Sequence, residues 1–121
     1  MMFDHVGIKV RNLQASVRFY ESVLGALGYR LDSQGEGYAG LGKPGAAAFW
    51  LYATDQPVGP GTHVAFSAGG RTAVQQFHAQ GLKTGGRDNG PPGPRPDYSD
   101  SSFAAFLLDP DGHNVEAVCF V

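Results

Sequence analysis

Cysteine occurs once in the 121 residues, at Cys119, so no disulfide can close within the chain. A lone thiol of this kind fits a reducing compartment, and the cytoplasm is the expected location. No apolar run approaches the ~20 residues that a membrane-spanning helix needs, and Met1-Met2-Phe3 does not open a secretion signal. Charge is scarce too. Nine Lys and Arg against eleven Asp and Glu leave a formal net charge of −2, with no basic block, which excludes the electrostatic footprint of a nucleic-acid binder. Glycine, by contrast, is abundant: eighteen residues, with Gly28, Gly35, Gly37 and Gly112 at turn positions, as a chain of many short strands requires. The length, 1–121, suits one domain with a modest core.

One module is written twice. Asp4-His5-Val6-Gly7-Ile8 returns fifty-eight residues later as Thr62-His63-Val64-Ala65-Phe66, and the same offset carries Phe19-Tyr20 onto Phe77-His78. In the first copy (about 1–55), residues 3–10 alternate as a strand, and Asn12 is a suitable N-cap. Leu13, Val17, Tyr20, Leu24 and Leu27 follow at helical spacing, with Gly28 closing the helix. Short strands are predicted near 29–33, 37–42 and 47–54. A Pro/Gly linker, Gln56 to Gly61, leads to the second copy (61–121). This copy has a strand over 62–68, a helix over about 71–82 with Val74 and Phe77 inward, and a weak strand near 83–88. Two further strands lie at 102–109 and 113–120. The stretch Asp88 to Ser101, with four prolines, reads as a long loop and a candidate lid. The fold class is α+β, two tandem βαβββ modules.

Strand alternation sets which residues share a face. His5 goes with Gly7 and Lys9, His63 with Ala65 and Ser67, and Glu116 with Val118 and Phe120. Two histidines at equivalent repeat positions plus a carboxylate on an otherwise apolar strand make a divalent metal site of His5, His63 and Glu116. The repeat places Trp50 opposite Glu116, with Tyr52 on its face. Indole cannot ligate, so three protein ligands leave open positions. Fe, Mn, Zn, Ni or Co all suit such a set. Lys9, Trp50, Tyr52, Phe106 and Phe120 are candidate cavity-lining, substrate-binding residues. Tyr98, with Arg95 and Arg87 nearby, could act from the lid. His78 reads as a packed helix residue, His113 as an exposed turn residue and Cys119 as core.

These modules, the Asp-His-Val-Gly start, Gly61-Thr62-His63-Val64-Ala65-Phe66 and the closing Leu108-Asp109-Pro110-Asp111-Gly112-His113-Asn114-Val115-Glu116 resemble the vicinal oxygen chelate superfamily, the glyoxalase, bleomycin-resistance and extradiol-dioxygenase group. The resemblance implies a curled mixed sheet forming a cup around a metal, with His5, His63 and Glu116 as ligands. It also implies a homodimer, and a small oxygen-rich substrate acted on by a Lewis-acid metal. Among the chain's own residues Glu116 is the candidate catalytic base, and Tyr98 or Tyr52 could serve if positioned. The chain has Trp50 where glyoxalase I enzymes place a fourth ligand. Phe106 and Asp97 stand where extradiol dioxygenases place a Tyr and a His. The resemblance also admits a non-catalytic alternative, a protein that sequesters a drug or metabolite in an aromatic groove.

Overall fold

The computed structural model describes residues 2–120. The first module runs β1 (Val6–Val10), α1 (Leu13–Gly25), β2 (Arg30–Gly35), β3 (Tyr38–Lys43) and β4 (Ala46–Ala53). The second runs β5 (His63–Ser67), α2 (Arg71–Lys83), β6 (Arg87–Pro94), β7 (Ser102–Leu108) and β8 (Asn114–Phe120). Each module forms one four-stranded mixed sheet, ordered β1-β4-β3-β2 and β5-β8-β7-β6, with its first strand parallel to its last. The duplication is visible in the register. Gly7 lies opposite Trp50 and Ala65 opposite Glu116 across the parallel pairs, while Gly40–Trp50 and Phe106–Glu116 match across the antiparallel ones. Trp50 therefore occupies the position equivalent to Glu116, as expected.

Local chemistry explains the elements. The Asn12 side chain accepts the Ala15 N–H at 3.1 Å and caps α1, a contact worth about 1 kcal/mol. Gly28, at φ 92°, turns the chain out of the helix into β2. The core takes Ile8, Val10, Phe49 and Leu51 from the first sheet and Val115, Ala117 and Cys119 from the second. Phe19, Tyr20 and Phe77 of the helices sit between them. The two helices touch each other, and Phe49 meets Phe66 edge-on with ring centroids 5.1 Å apart. The helix-side faces of both sheets thus share one core, and the other two faces turn away from it.

Two expectations need correction. The 88–101 stretch is not one loop: β6 pairs with β7 from Arg87 to Pro94, and only the remainder is a turn. Pro91, Pro92 and Pro94 are tolerated because β6 is an edge strand, where a missing N–H breaks no second ladder. The pairing shifts register on either side of Gly90. His113 is not exposed: it is buried at 4%, with Nε2 2.9 Å from the Lys9 carbonyl oxygen. His78 and Cys119 are buried as read, and His78 also pairs with Asp88 at 2.8 Å.

Candidate metal site and aromatic face

Strand β8 is buried on both sides, which places the Glu116 carboxylate at 4% exposure. Its Oε1 lies 2.8 Å from His63 Nε2, contributed by the neighbouring β5. An ionised carboxylate at this depth needs a cationic or hydrogen-bonding partner, and His63 supplies it. The histidine side chain is itself half-exposed, so the pair opens outward. Phe106, opposite Glu116 on β7, brings its ring to 6.1 Å from the imidazole and walls one side. Arg95 folds back over Phe106 at 5.4 Å while donating to the Pro91 and Gly93 carbonyls.

The donor geometry suits a cation. Two ligand atoms each ~2.1 Å from one metal and ~90° apart are separated by about 3 Å, close to the 2.8 Å between Nε2 and Oε1. Nitrogen and carboxylate oxygen together fit borderline divalent ions. His5 does not join them within one chain. It lies just before β1, exposed, with Nδ1 2.7 Å from Asp4 Oδ1. The cleft it lines, of about 470 Å3, includes Tyr29, Lys43 and Phe49 but neither His63 nor Glu116. This contact takes up the Nδ1 side of His5 and leaves Nε2 as the ring nitrogen available to a metal, the arrangement in which a carboxylate orients a metal-binding histidine.

Lys9, Trp50 and Tyr52 come together on the open face of the first sheet, where the Lys9 Nζ stands 5.4 Å from the Tyr52 ring centroid. Tyr38 joins them, its ring centroid 6.3 Å from that of Trp50. Sequence reasoning missed Tyr38, although alternation from Gly40 would have put it on this face. Phe120 is 64% exposed on the same strand as Glu116, and Tyr98 is 61% exposed in the 95–101 turn. Among the described residues, no hydrogen bond, ion pair or ring contact joins the Tyr98 side chain to the His63–Glu116 pair.

Among the described residues, one group offers three potential ligand atoms within 4.8 Å of one another: Asp109, Asp111 and His113. Its carboxylates are engaged in hydrogen bonds. Asp109 Oδ1 accepts the Asp111 and His113 N–H groups, and Oδ2 accepts the Tyr20 hydroxyl. The Asp111 carboxylate accepts the Arg11 N–H. Tyr20, Arg11 and Lys9 belong to the first module, so this turn latches the two modules together. Burial and the adjacent Asp109 charge push the Tyr20 hydroxyl well above its ordinary pKa, which keeps it a donor.

Comparison with known proteins agrees with this layout. The model of the Glyoxalase/Bleomycin resistance protein/Dioxygenase superfamily matches residues 2–117. A glyoxalase/bleomycin resistance protein from Albidiferax ferrireducens T118 is 30% identical, with a TM-score of 0.87 and 98% of each chain covered. A family enzyme from Burkholderia phytofirmans PsJN gives 0.77 at 18% identity, again over 98% of each chain. A glyoxalase I variant from Zea mays gives 0.70 at 25% identity, covering 94% of this chain and 44% of that one. No curated protein matches significantly. No helix among the described residues is long and apolar enough to cross a membrane.

Proposed function

The chain belongs to the glyoxalase/bleomycin resistance protein/dioxygenase superfamily, and on that premise we propose that it is a divalent-metal enzyme whose site is completed by a second copy of itself. The carrying observation is the divided ligand set. His63 and Glu116 pair at 2.8 Å on the open face of one sheet, while His5 stands apart with Nε2 free. In a homodimer, His5 of one copy meets His63 and Glu116 of the other. A bound divalent ion would serve as Lewis acid for a carbonyl or enolate oxygen of a small, oxygen-rich, partly hydrophobic substrate.

The side chains have separate tasks. Glu116 supplies the negative charge that a cation needs, and its burial keeps that charge poorly screened by water. Asp4 orients His5. Phe106 limits water on one flank, and Phe120 extends the apolar rim along the same strand. Tyr98 stays 61% exposed in the 95–101 turn, so this reading gives it no part in the chemistry, and Tyr98→Phe is expected to leave turnover and metal content unchanged.

The test is complementation. His5→Ala and Glu116→Ala proteins should each purify without stoichiometric metal. Co-refolding equal amounts should restore about a quarter of the wild-type metal, one intact site in each mixed dimer. A monomer that retains metal after His5→Ala would overturn the reading. Trp50 at the position of a fourth ligand favours a second reading, sequestration of an aromatic molecule without turnover. Ligand binding that chelator leaves unchanged, in a protein that holds no metal, would select it.

A further inference from the structure

We infer that the turn from Asp109 to His113 is a second divalent-cation site, separate from the one proposed above. Asp109, Asp111 and the Nδ1 of His113 would hold a borderline ion there, Zn2+ or Mn2+, at the junction of the two modules. One oxygen of each carboxylate and one ring nitrogen of His113 already lie within 4.8 Å of one another. Donors that share an ion at ~2.1 Å stand about 3 to 3.5 Å apart, so a small side-chain rotation closes the set.

His113 is the residue that points to a ligand. It is buried, and its Nδ1 has no hydrogen-bond partner. Buried polar atoms are nearly always paired, because a bare one costs stability. The tautomer is set from the far side of the ring. The Lys9 carbonyl can only accept, so Nε2, 2.9 Å away, donates to it, and a neutral ring keeps its lone pair on Nδ1. A backbone carbonyl on the opposite nitrogen is a common way to orient a metal-binding histidine and raise its basicity. The His113 main-chain N–H also donates to Asp109 Oδ1 at 2.9 Å, which roots the residue against that carboxylate.

Charge and lone pairs agree with this. Asp109 is 1% exposed and Asp111 is partly buried, yet among the described residues no Lys or Arg forms an ion pair with either. An ionised carboxylate offers about four lone-pair directions. Asp109 uses three of them, for the Asp111 and His113 N–H groups and the Tyr20 hydroxyl. Asp111 meets a single donor, the Arg11 N–H, which its two oxygens share at 3.2 and 3.3 Å. Both carboxylates therefore keep capacity for a cation. Two oxygens and one imidazole suit Zn2+ or Mn2+, whereas Ca2+ takes about six to eight oxygens. An ion can approach through the cleft of about 760 Å3 that Lys9, His63 and His113 line.

The site uses none of His5, His63 and Glu116, so chelator-treated Glu116→Gln protein isolates it. Zn2+ added to that protein at about ten times its Kd should raise Tm by about 5 °C. Calorimetry should give one ion per chain, and Ca2+ should have no effect. Asp111→Asn, which keeps an acceptor for Arg11, should weaken Zn2+ at least tenfold, and His113→Gln should do the same. A cation beside Tyr20 should also draw its hydroxyl titration to lower pH, read as a tyrosinate absorbance change that is missing in Tyr20→Phe. No Zn2+ effect would overturn the inference, and so would a rise in Tm that Asp111→Asn and His113→Gln leave intact, the mark of ordinary surface binding. Zn2+ binding that Glu116→Gln abolishes removes this second site alone. Binding that His113→Gln abolishes and Glu116→Gln does not removes the His5–His63–Glu116 site instead.

Discussion

Replacing Tyr20 by Phe tests how strongly the two modules are joined. Tyr20 is fully buried and donates its hydroxyl to Asp109, itself 1% exposed, across the boundary between α1 and the 109–112 turn. Phe preserves the ring and its edge contact with Phe19, centroids 4.9 Å apart, so cavity and packing terms change little. What is lost is one hydrogen bond to a charged acceptor, and the carboxylate keeps only its two N–H donors. Such bonds contribute about 2 kcal/mol. For a chain of this length that corresponds to roughly 8 °C in Tm. Urea unfolding followed by far-UV circular dichroism gives the free energy, with Tyr98→Phe as a surface control expected to stay within about 0.5 kcal/mol. The sign with pH is a second readout. A tyrosine whose folded pKa is raised above the ordinary 10.0 contributes stability that is complete below pH 10.0 and is lost as pH rises through the folded value. The gap between wild type and Tyr20→Phe should hold steady from about pH 8 and narrow on approaching about pH 11. A gap under about 0.5 kcal/mol, or one that widens in alkali, would refute the latch.

Asn12→Ala removes the α1 cap and should cost about 1 kcal/mol in urea titrations, seen as faster amide exchange in the first turn of that helix. Glu116→Gln keeps the shape of the buried side chain but not its charge. It should reduce the metal that purifies with the protein to background by elemental analysis and abolish the rise in Tm which that metal gives. Asp4→Asn weakens the hold on the His5 tautomer and should reduce metal affinity of the dimer by about tenfold, measured by competition with a chromophoric chelator.

Much of the architecture was legible because both repeat copies obey the same alternation. The fifty-eight-residue offset from His5 to His63, together with strand parity, places Trp50 at the Glu116 position, and the strand registers agree. The His63–Glu116 pair followed from parity and the repeat, since Ala65 faces Glu116 and His63 is two residues away. Three matters were not legible. Proline content hid β6, because edge strands accept proline and central ones do not. The depth of His113 depends on Lys9, 104 residues distant, whose carbonyl it meets. The separation of His5 from His63 is a property of how the helix-side faces pack together, and strand alternation carries no information about that packing. The strand carrying Tyr38 is expected near 37–42, but its register against β4, which brings Tyr38 opposite Tyr52, is set by tertiary pairing and not by alternation.

The prolines of β6 give the molecule a polarity in how it can meet other chains. Each sheet has two outer strands, β1 and β2 in one and β5 and β6 in the other. An incoming strand needs a row of unpaired N–H donors to extend a sheet. Pro91, Pro92 and Pro94 remove three of these from β6, and Arg95 occupies the Pro91 and Gly93 carbonyls with its guanidinium. That border cannot template further β-structure, whereas Arg30–Gly35 has no proline. Under crowding or partial unfolding, runaway strand addition would start from one of the proline-free borders, β1, β2 or β5, and not from the border nearest Phe106.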